Sequence, residues 1–163
     1  MSESTAFHIR SATEADVPLV LDFVHRLAEY EKLAHEVVAT EDQIRDALFG
    51  ADAHVEVVFA CEGDQAAGFA LFFRSFSTFL GRPNLYLEDL FVGPEHRGKG
   101  YGKALLAHLA KLAVERGYGR MEWIVLDWNE PAIRFYESLG AVGRDDWRVF
   151  HLRGEALERL AEG

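Results

Sequence analysis

Apolar positions along the chain follow two different periods, and the places where the period changes predict its elements. Phe7-His-Ile-Arg-Ser alternates as a short first strand does. Thr13 followed three residues later by Asp16 is a capping-box-like helix start. Over 14–34, Val17, Val20, Leu21, Val24, Leu27 and Ala28 recur at spacings of three and four, with Asp22, Arg26 and Glu29 on the other side. This predicts a helix packed by one face. Thr40 with Gln43 opens a second, short helix that Gly50 ends.

From Val55 the period shortens. Val55 to Cys61 and Ala66 to Phe76 are β-rich runs joined by the polar turn Glu62-Gly-Asp-Gln, which predicts a hairpin. Asn84 to Val92 is a further strand, ending at Gly93-Pro94 and feeding Arg97-Gly-Lys-Gly-Tyr-Gly. A helix from about Lys103 to Arg116 repeats Leu105, Leu109 and Leu112 on one side and stops at Gly117. A strand over Arg120 to Leu126 comes next, then a helix capped by Asn129, with Pro131 in its first turn and Gly140 at its close. Trp147 to Leu152 reads as a last strand, with a short helix possible from Glu155. The order β-α-α-β-β-β-α-β-α-β-α predicts an α/β chain, a mixed sheet with helices on its faces.

Composition narrows the class. With 163 residues and 49% hydrophobic content, the chain suits one domain over 1–163 with its core at about 7–153. Its apolar runs fall short of the roughly 20 residues needed to cross a bilayer. Met1 to Ala6 lacks the basic start and apolar core of a secretion signal, so the expected location is the cytoplasm. Cys61 lies in Val-Val-Phe-Ala-Cys with no base beside it, and reads as a buried strand thiol. A net charge of −10 opposes binding to nucleic acid and to acidic membranes, and suits a cationic partner.

The chemistry points first to His96-Arg-Gly-Lys-Gly-Tyr-Gly-Lys, set between a strand and a helix. Unpaired N–H groups and the positive end of a helix dipole converge there, as a phosphate requires. Gly98, Gly100 and Gly102 let backbone approach an anion, and Arg97, Lys99 and Lys103 add charge. A P-loop would need Ser or Thr after Gly-Lys, but Lys99 precedes Gly100 and Lys103 precedes Ala104. A dinucleotide fingerprint would need its third glycine three places after the second, whereas Gly102 follows Gly100 by two.

Arg97-Gly-x-Gly-x-Gly after a strand resembles the pyrophosphate loop of GNAT-type N-acetyltransferases. Leu85-Tyr-Leu-Glu-Asp-Leu-Phe-Val before it, Asp127-Trp-Asn-Glu-Pro-Ala-Ile-Arg-Phe-Tyr after it and Ala28-Glu-Tyr-Glu-Lys-Leu near the start resemble the spermidine/spermine (diamine) acetyltransferase branch and its thialysine N-epsilon-acetyltransferase relatives. The resemblance implies the GNAT fold, a mixed, mostly antiparallel sheet flanked by helices. It implies acetyl-CoA as co-substrate, no metal, and a likeness to homodimers, with Trp147 to Leu152 contributing to the contact. It also implies that the amides of Leu90, Phe91 and Val92 bind the pantetheine arm, and that Arg97, Gly98, Lys99, Gly100, Tyr101, Gly102 and Lys103 hold the pyrophosphate. Asn129, Glu130, Pro131 and Ala132 would contact the cofactor too. Tyr136 would be the general acid and Glu88 the proton relay through water. Tyr30, Glu31, Thr78, Glu88, Asp89, Glu122, Trp123 and Ile124 match amine-site positions. From the residues alone Tyr136 reads as a core aromatic beside Phe135, and Glu31 equally as an exposed helix-end charge.

The likeness is incomplete at one place. Polyamine acetyltransferases carry an aspartate where this chain has Thr78, so one anion for a distal cation is missing. Tyr30-Glu-Lys-Leu and Leu126-Asp-Trp-Asn read more like the thialysine relatives, which ranks a thialysine-like or lysine-like amine above a di- or polyamine such as spermidine. A non-catalytic acetyl-CoA sensor and an acetyltransferase of peptide or protein amines stay open beside this reading.

Overall fold

The computed structural model of the chain describes residues 6–163. Met1 to Thr5, in the stretch read for a secretion signal, lies outside the described residues. Two compact units divide the chain, one ending at Ile124 and the other starting at Val125.

The first unit is a five-stranded sheet in the order β1 (Phe7–Ser11), β2 (Val55–Glu62), β3 (Gln65–Ser77), β4 (Arg82–Val92), β5 (Met121–Glu122). The first three junctions are antiparallel and the last is parallel, so the sheet is mixed as expected. Alternation along β2 divides its side chains between two faces. Val57, Phe59 and Cys61 join Phe69, Leu71 and Phe91 under α1 (Val17–Tyr30) and α2 (Glu41–Phe49). At the centre Phe23 of α1 is fully buried, stacked on Phe69 with ring centroids 5.2 Å apart and meeting Phe91 edge-on at 6.3 Å. Truncating such a residue to alanine costs about 3–5 kcal/mol. α3 (Tyr101–Glu115) covers the opposite face through Leu105, Leu106, Leu109 and Ala113.

The start of α1 is one turn later than expected, because Glu14–Asp16 form a 3-10 turn. That turn is held by Asp16, which accepts from the Thr13 N–H at 2.7 Å and from both Arg10 terminal nitrogens at 2.7 and 2.9 Å. The Arg10 hydrogen bonds hold the Asp16 carboxyl down at about 2. α2 starts as read: Thr40 Oγ1 accepts from the Gln43 N–H at 3.2 Å, and Gln43 accepts in return from the Thr40 N–H at 3.0 Å. Cys61 is buried in β2, as its apolar run implied.

The second unit contains α4 (Glu130–Ser138) and α5 (Glu155–Ala161). Two expected strands are corrected. β5 covers only Met121–Glu122 of the predicted Arg120 to Leu126, because β4 bulges at Glu88 and departs from a straight ladder just beyond the paired Tyr86 and Glu122. Trp147 to Leu152 forms no strand: its unit offers no other strand whose N–H and C=O groups could pair with it. Among the described residues no helix is long and apolar enough to cross a membrane.

Candidate active site

Two features of β4 organise the site, and the first is its bulge. Leu71 pairs with Asp89 and Phe72 with Leu87, so Glu88 has no counterpart on β3. An extra residue in one strand re-aims the side chains around it. Glu88 is exposed, Asp89 half-buried and Leu87 buried. Burial, and then the negative charges of Glu88 and Glu31, push the Asp89 carboxyl up to about 7. Glu31, at the C-terminal end of α1, is itself raised by burial and by Glu88. Tyr86 is raised by burial, Glu88 and Glu122. Carboxylates that oppose one another's ionisation make a crowded negative site, and a bound ammonium group would relieve it.

The second feature is an open edge. Pairing with β5 ends at Tyr86 and Glu122, which leaves Leu87 to Val92 without a strand on that side among the described residues. The Gly93 N–H donates to the Ala67 carbonyl of β3 at 2.8 Å. Successive backbone groups alternate sides, so the Phe91 N–H turns toward β3 while those of Leu90 and Val92 face the open edge. The Leu90 and Val92 amides are thus turned away from β3, and the Phe91 ring belongs to the core.

Beyond β4 the chain makes a 3-10 turn at Pro94–His96 and enters the glycine loop. Gly98 and Gly100 have φ of 80° and 83°, and Gly100 caps α3. A Cβ at either would meet nothing within 4 Å, so backbone conformation rather than crowding demands glycine. The space above these residues and the free N–H groups at the start of α3 form a cradle that fits the diphosphate of acetyl-CoA. Gly98 to Lys103 would hold it. The flanking cations are arranged unequally. Arg97 Nε donates to the Val92 carbonyl at 3.1 Å, with its guanidinium over the rings of Tyr30 at 5.0 Å and Phe91 at 5.6 Å. Lys99 Nζ donates to Glu62 at 2.8 Å, while Lys103 is exposed.

Other expected site residues are distributed as follows. Glu122 is exposed and pairs with Arg120 at 3.1 Å; Trp123 is half-buried and Ile124 exposed. Thr78 lies in the exposed turn between β3 and β4. The rise along β4 from Arg82 to Glu88 is about 20 Å at 3.3 Å per residue. In the second unit, Asn129 caps α4 by accepting from the Ala132 N–H at 3.4 Å, with Glu130 and Pro131 in the first turn. Tyr136 is half-buried, its ring 5.6 Å from that of Phe135.

Sequence reasoning missed Glu62, which it read only as part of a turn, and His96, which is buried behind the loop. No local pattern links Glu62 to the loop, and nothing in the order of residues shows that His96, which opens the loop segment, is buried. A separate cavity of about 370 Å³, lined in part by Ser11, Phe49, His108 and Arg116, holds none of the expected site residues. Among the described residues no group of three His, Cys, Asp or Glu is arranged to hold a metal ion.

Comparison with known proteins gives concordant matches. The model of the family described as "Acetyltransferase (GNAT) family" matches residues 22–141. A thialysine N-epsilon-acetyltransferase of Bos taurus is 36% identical over 164 residues, covering 94% of this chain and 96% of that protein. An L-ornithine N5-acetyltransferase of Arabidopsis thaliana is 34% identical, covering 93% of this chain and 86% of its own length. Among solved structures, an integron cassette protein from the mobile metagenome of V. cholerae superposes with a TM-score of 0.79 at 28% identity, over 96% of this chain and 98% of that one.

Proposed function

Since the chain belongs to the acetyltransferase (GNAT) family and is an N-acetyltransferase, we propose that it moves the acetyl group of acetyl-CoA directly to a primary amine of a small cationic substrate, thialysine-like or lysine-like before di- or polyamine. The observation that carries this reading is the meeting of Glu31, Glu88 and Asp89 at the bulge of the strand that leads into the phosphate cradle. The relatives' names support it, since the Bos taurus protein is named for thialysine and the Arabidopsis thaliana protein for ornithine. The family match runs through both compact units, which supports reading them as one transferase domain.

Acetyl-CoA supplies the acetyl group as an activated thioester. The protein's work is on the amine and on protons. An ammonium has no free lone pair, so a proton must leave before the nitrogen can attack. Glu31 and Asp89 bind the cation, and Glu88, exposed at the bulge, takes the proton through water. As the C–N bond forms and the C–S bond breaks, Tyr136 donates its phenolic proton to the departing sulfur, and the second proton that the nitrogen sheds as the amide forms restores the phenol by way of solvent. A phenol with an ordinary pKa near 10 is still protonated at neutral pH and suits that task. The enzyme acts in the cytoplasm as a homodimer in this reading, and the exposed Trp147, Val149, Phe150 and Leu152 of the second unit support the contact.

The test is a screen of acetyl transfer to thialysine, lysine, ornithine, spermidine and short peptides at one enzyme concentration. The expected order places thialysine or lysine first. Preference for peptides would replace the small-amine reading, and CoA binding without transfer to any of them would favour a sensor.

A further inference from the structure

The glycine loop owes its shape to its side chains rather than to packing of its glycines. Open space surrounds the Cβ positions of Gly98 and Gly100, and both adopt left-handed backbone that a free chain would leave readily. Arg97, Lys99 and Tyr101 are tied to the body of the first unit by their side chains, and His96 is held by burial alone. Arg97 is held by Val92 and Tyr30. His96 is buried, its Nδ1 3.6 Å from Glu62 Oε1 and its Nε2 3.7 Å from Glu95 Oε1. The remaining two, Lys99 and Tyr101, stand on either side of Gly100 and converge on one carboxylate. Glu62 accepts from Lys99 Nζ at 2.8 Å and from the Tyr101 hydroxyl, and the Tyr101 ring stacks on Phe7 at 4.5 Å.

We propose that Glu62, the last residue of β2, is the positioning residue of the phosphate loop: by holding Lys99 and Tyr101 it keeps Gly100 in the conformation that receives the diphosphate of acetyl-CoA. The proposal rests on the N-acetyltransferase reading of the loop. A carboxylate beside an anion site would by charge alone weaken binding, but Lys99 balances it, and solvent reduces what repulsion is left. Geometry is therefore the larger effect. The side chain of Glu62 is 19% exposed, and its hydrogen bonds from Lys99 and Tyr101 hold its carboxyl down at about 2. It remains an ionised acceptor for both across the working pH range. Loop order gained before the ligand arrives need not be supplied by the ligand, which raises affinity for the part that the loop touches.

The effect should be confined to the diphosphate. In calorimetry with CoA, Glu62→Ala should bind about tenfold more weakly than the unaltered protein. Glu62→Gln, whose amide oxygen still accepts from Lys99 and Tyr101, should stay within about threefold. In steady state Glu62→Ala should raise KM for acetyl-CoA by a similar factor while kcat falls less than about twofold. The rate supported by acetylpantetheine, which lacks the diphosphate, should match that of the unaltered protein. CoA binding by Glu62→Ala as tight as that of the unaltered protein overturns the proposal, as does an equal loss with acetylpantetheine or a Gln variant as weak as the Ala variant. An unaltered protein that binds no CoA is a separate result, and removes the cofactor reading on which the proposal stands.

Discussion

The guanidinium of Arg97 lies 5.0 Å from the centre of the Tyr30 ring while its Nε donates to the Val92 carbonyl at 3.1 Å. A residue at the end of α1 thus supports the first residue of the phosphate loop. A cation over an aromatic face gains about 0.5–2 kcal/mol. Tyr30→Phe keeps the face and should keep the affinity for acetyl-CoA. Tyr30→Ala should raise KM for acetyl-CoA by about three- to tenfold. If Tyr30→Ala changed KM only for the amine, Tyr30 would belong to the substrate alone.

Asp89 makes stability depend on pH. An aspartate titrates near 3.9 in an unfolded chain and here at about 7, so between those values the folded state binds more protons. Stability contributed by this group is therefore full below about pH 4, falls as pH rises toward 7, and stays reduced above it. A shift of this size corresponds to on the order of 4 kcal/mol. Asp89→Asn should unfold at higher urea than the parent at pH 8 and at nearly the same urea at pH 4, while losing affinity for the cationic amine. Equal midpoints at pH 8 would show that the carboxylates do not crowd one another.

Tyr136→Phe removes one hydroxyl and keeps the ring beside Phe135. General acids contribute roughly 100- to 10,000-fold, so turnover should fall within that range with little change in acetyl-CoA affinity. Cys61 is 1% exposed in β2, and Cys61→Ala should retain activity at some loss of stability. An acetylated Cys61 on the kinetic path would replace direct transfer with a two-step mechanism.

Trp147 is 67% exposed, Val149 64% and Phe150 88%, an apolar row of the kind that marks contact surfaces. Light scattering should give a dimer mass, and Phe150→Asp should shift it toward the monomer. A monomer across a wide concentration range would remove the homodimer.

How much of this was legible beforehand follows from the range of each interaction. Periodicity located α1, α2, α3 and the strands β1 to β4, because an amphipathic face is written into consecutive residues. Thr40 and Gln43 announced a cap, and Asn129 another, since a cap joins residues three apart. The alternate glycines Gly98, Gly100 and Gly102 signalled close approach of backbone to an anion ahead of a helix, and the structure puts the first two in left-handed backbone. The strand expected at Trp147 to Leu152 had the right apolar content but no partner in its own unit, and pairing is a property of two segments.

The site divides in the same way. Residue types and spacing pointed to an anion-binding loop, and the family resemblance pointed to Glu88 and Asp89 in the strand before it. Only the tertiary structure decided that Glu88 stands unpaired in a bulge and that Glu31 from a distant helix joins it. It also decided that Lys99, expected to face phosphate, meets Glu62. Local backbone preferences act over a few residues and can be read in order along the chain, whereas the electrostatic environment of a side chain depends on groups 37 residues away, as for Lys99 and Glu62, which become neighbours only when the sheet forms.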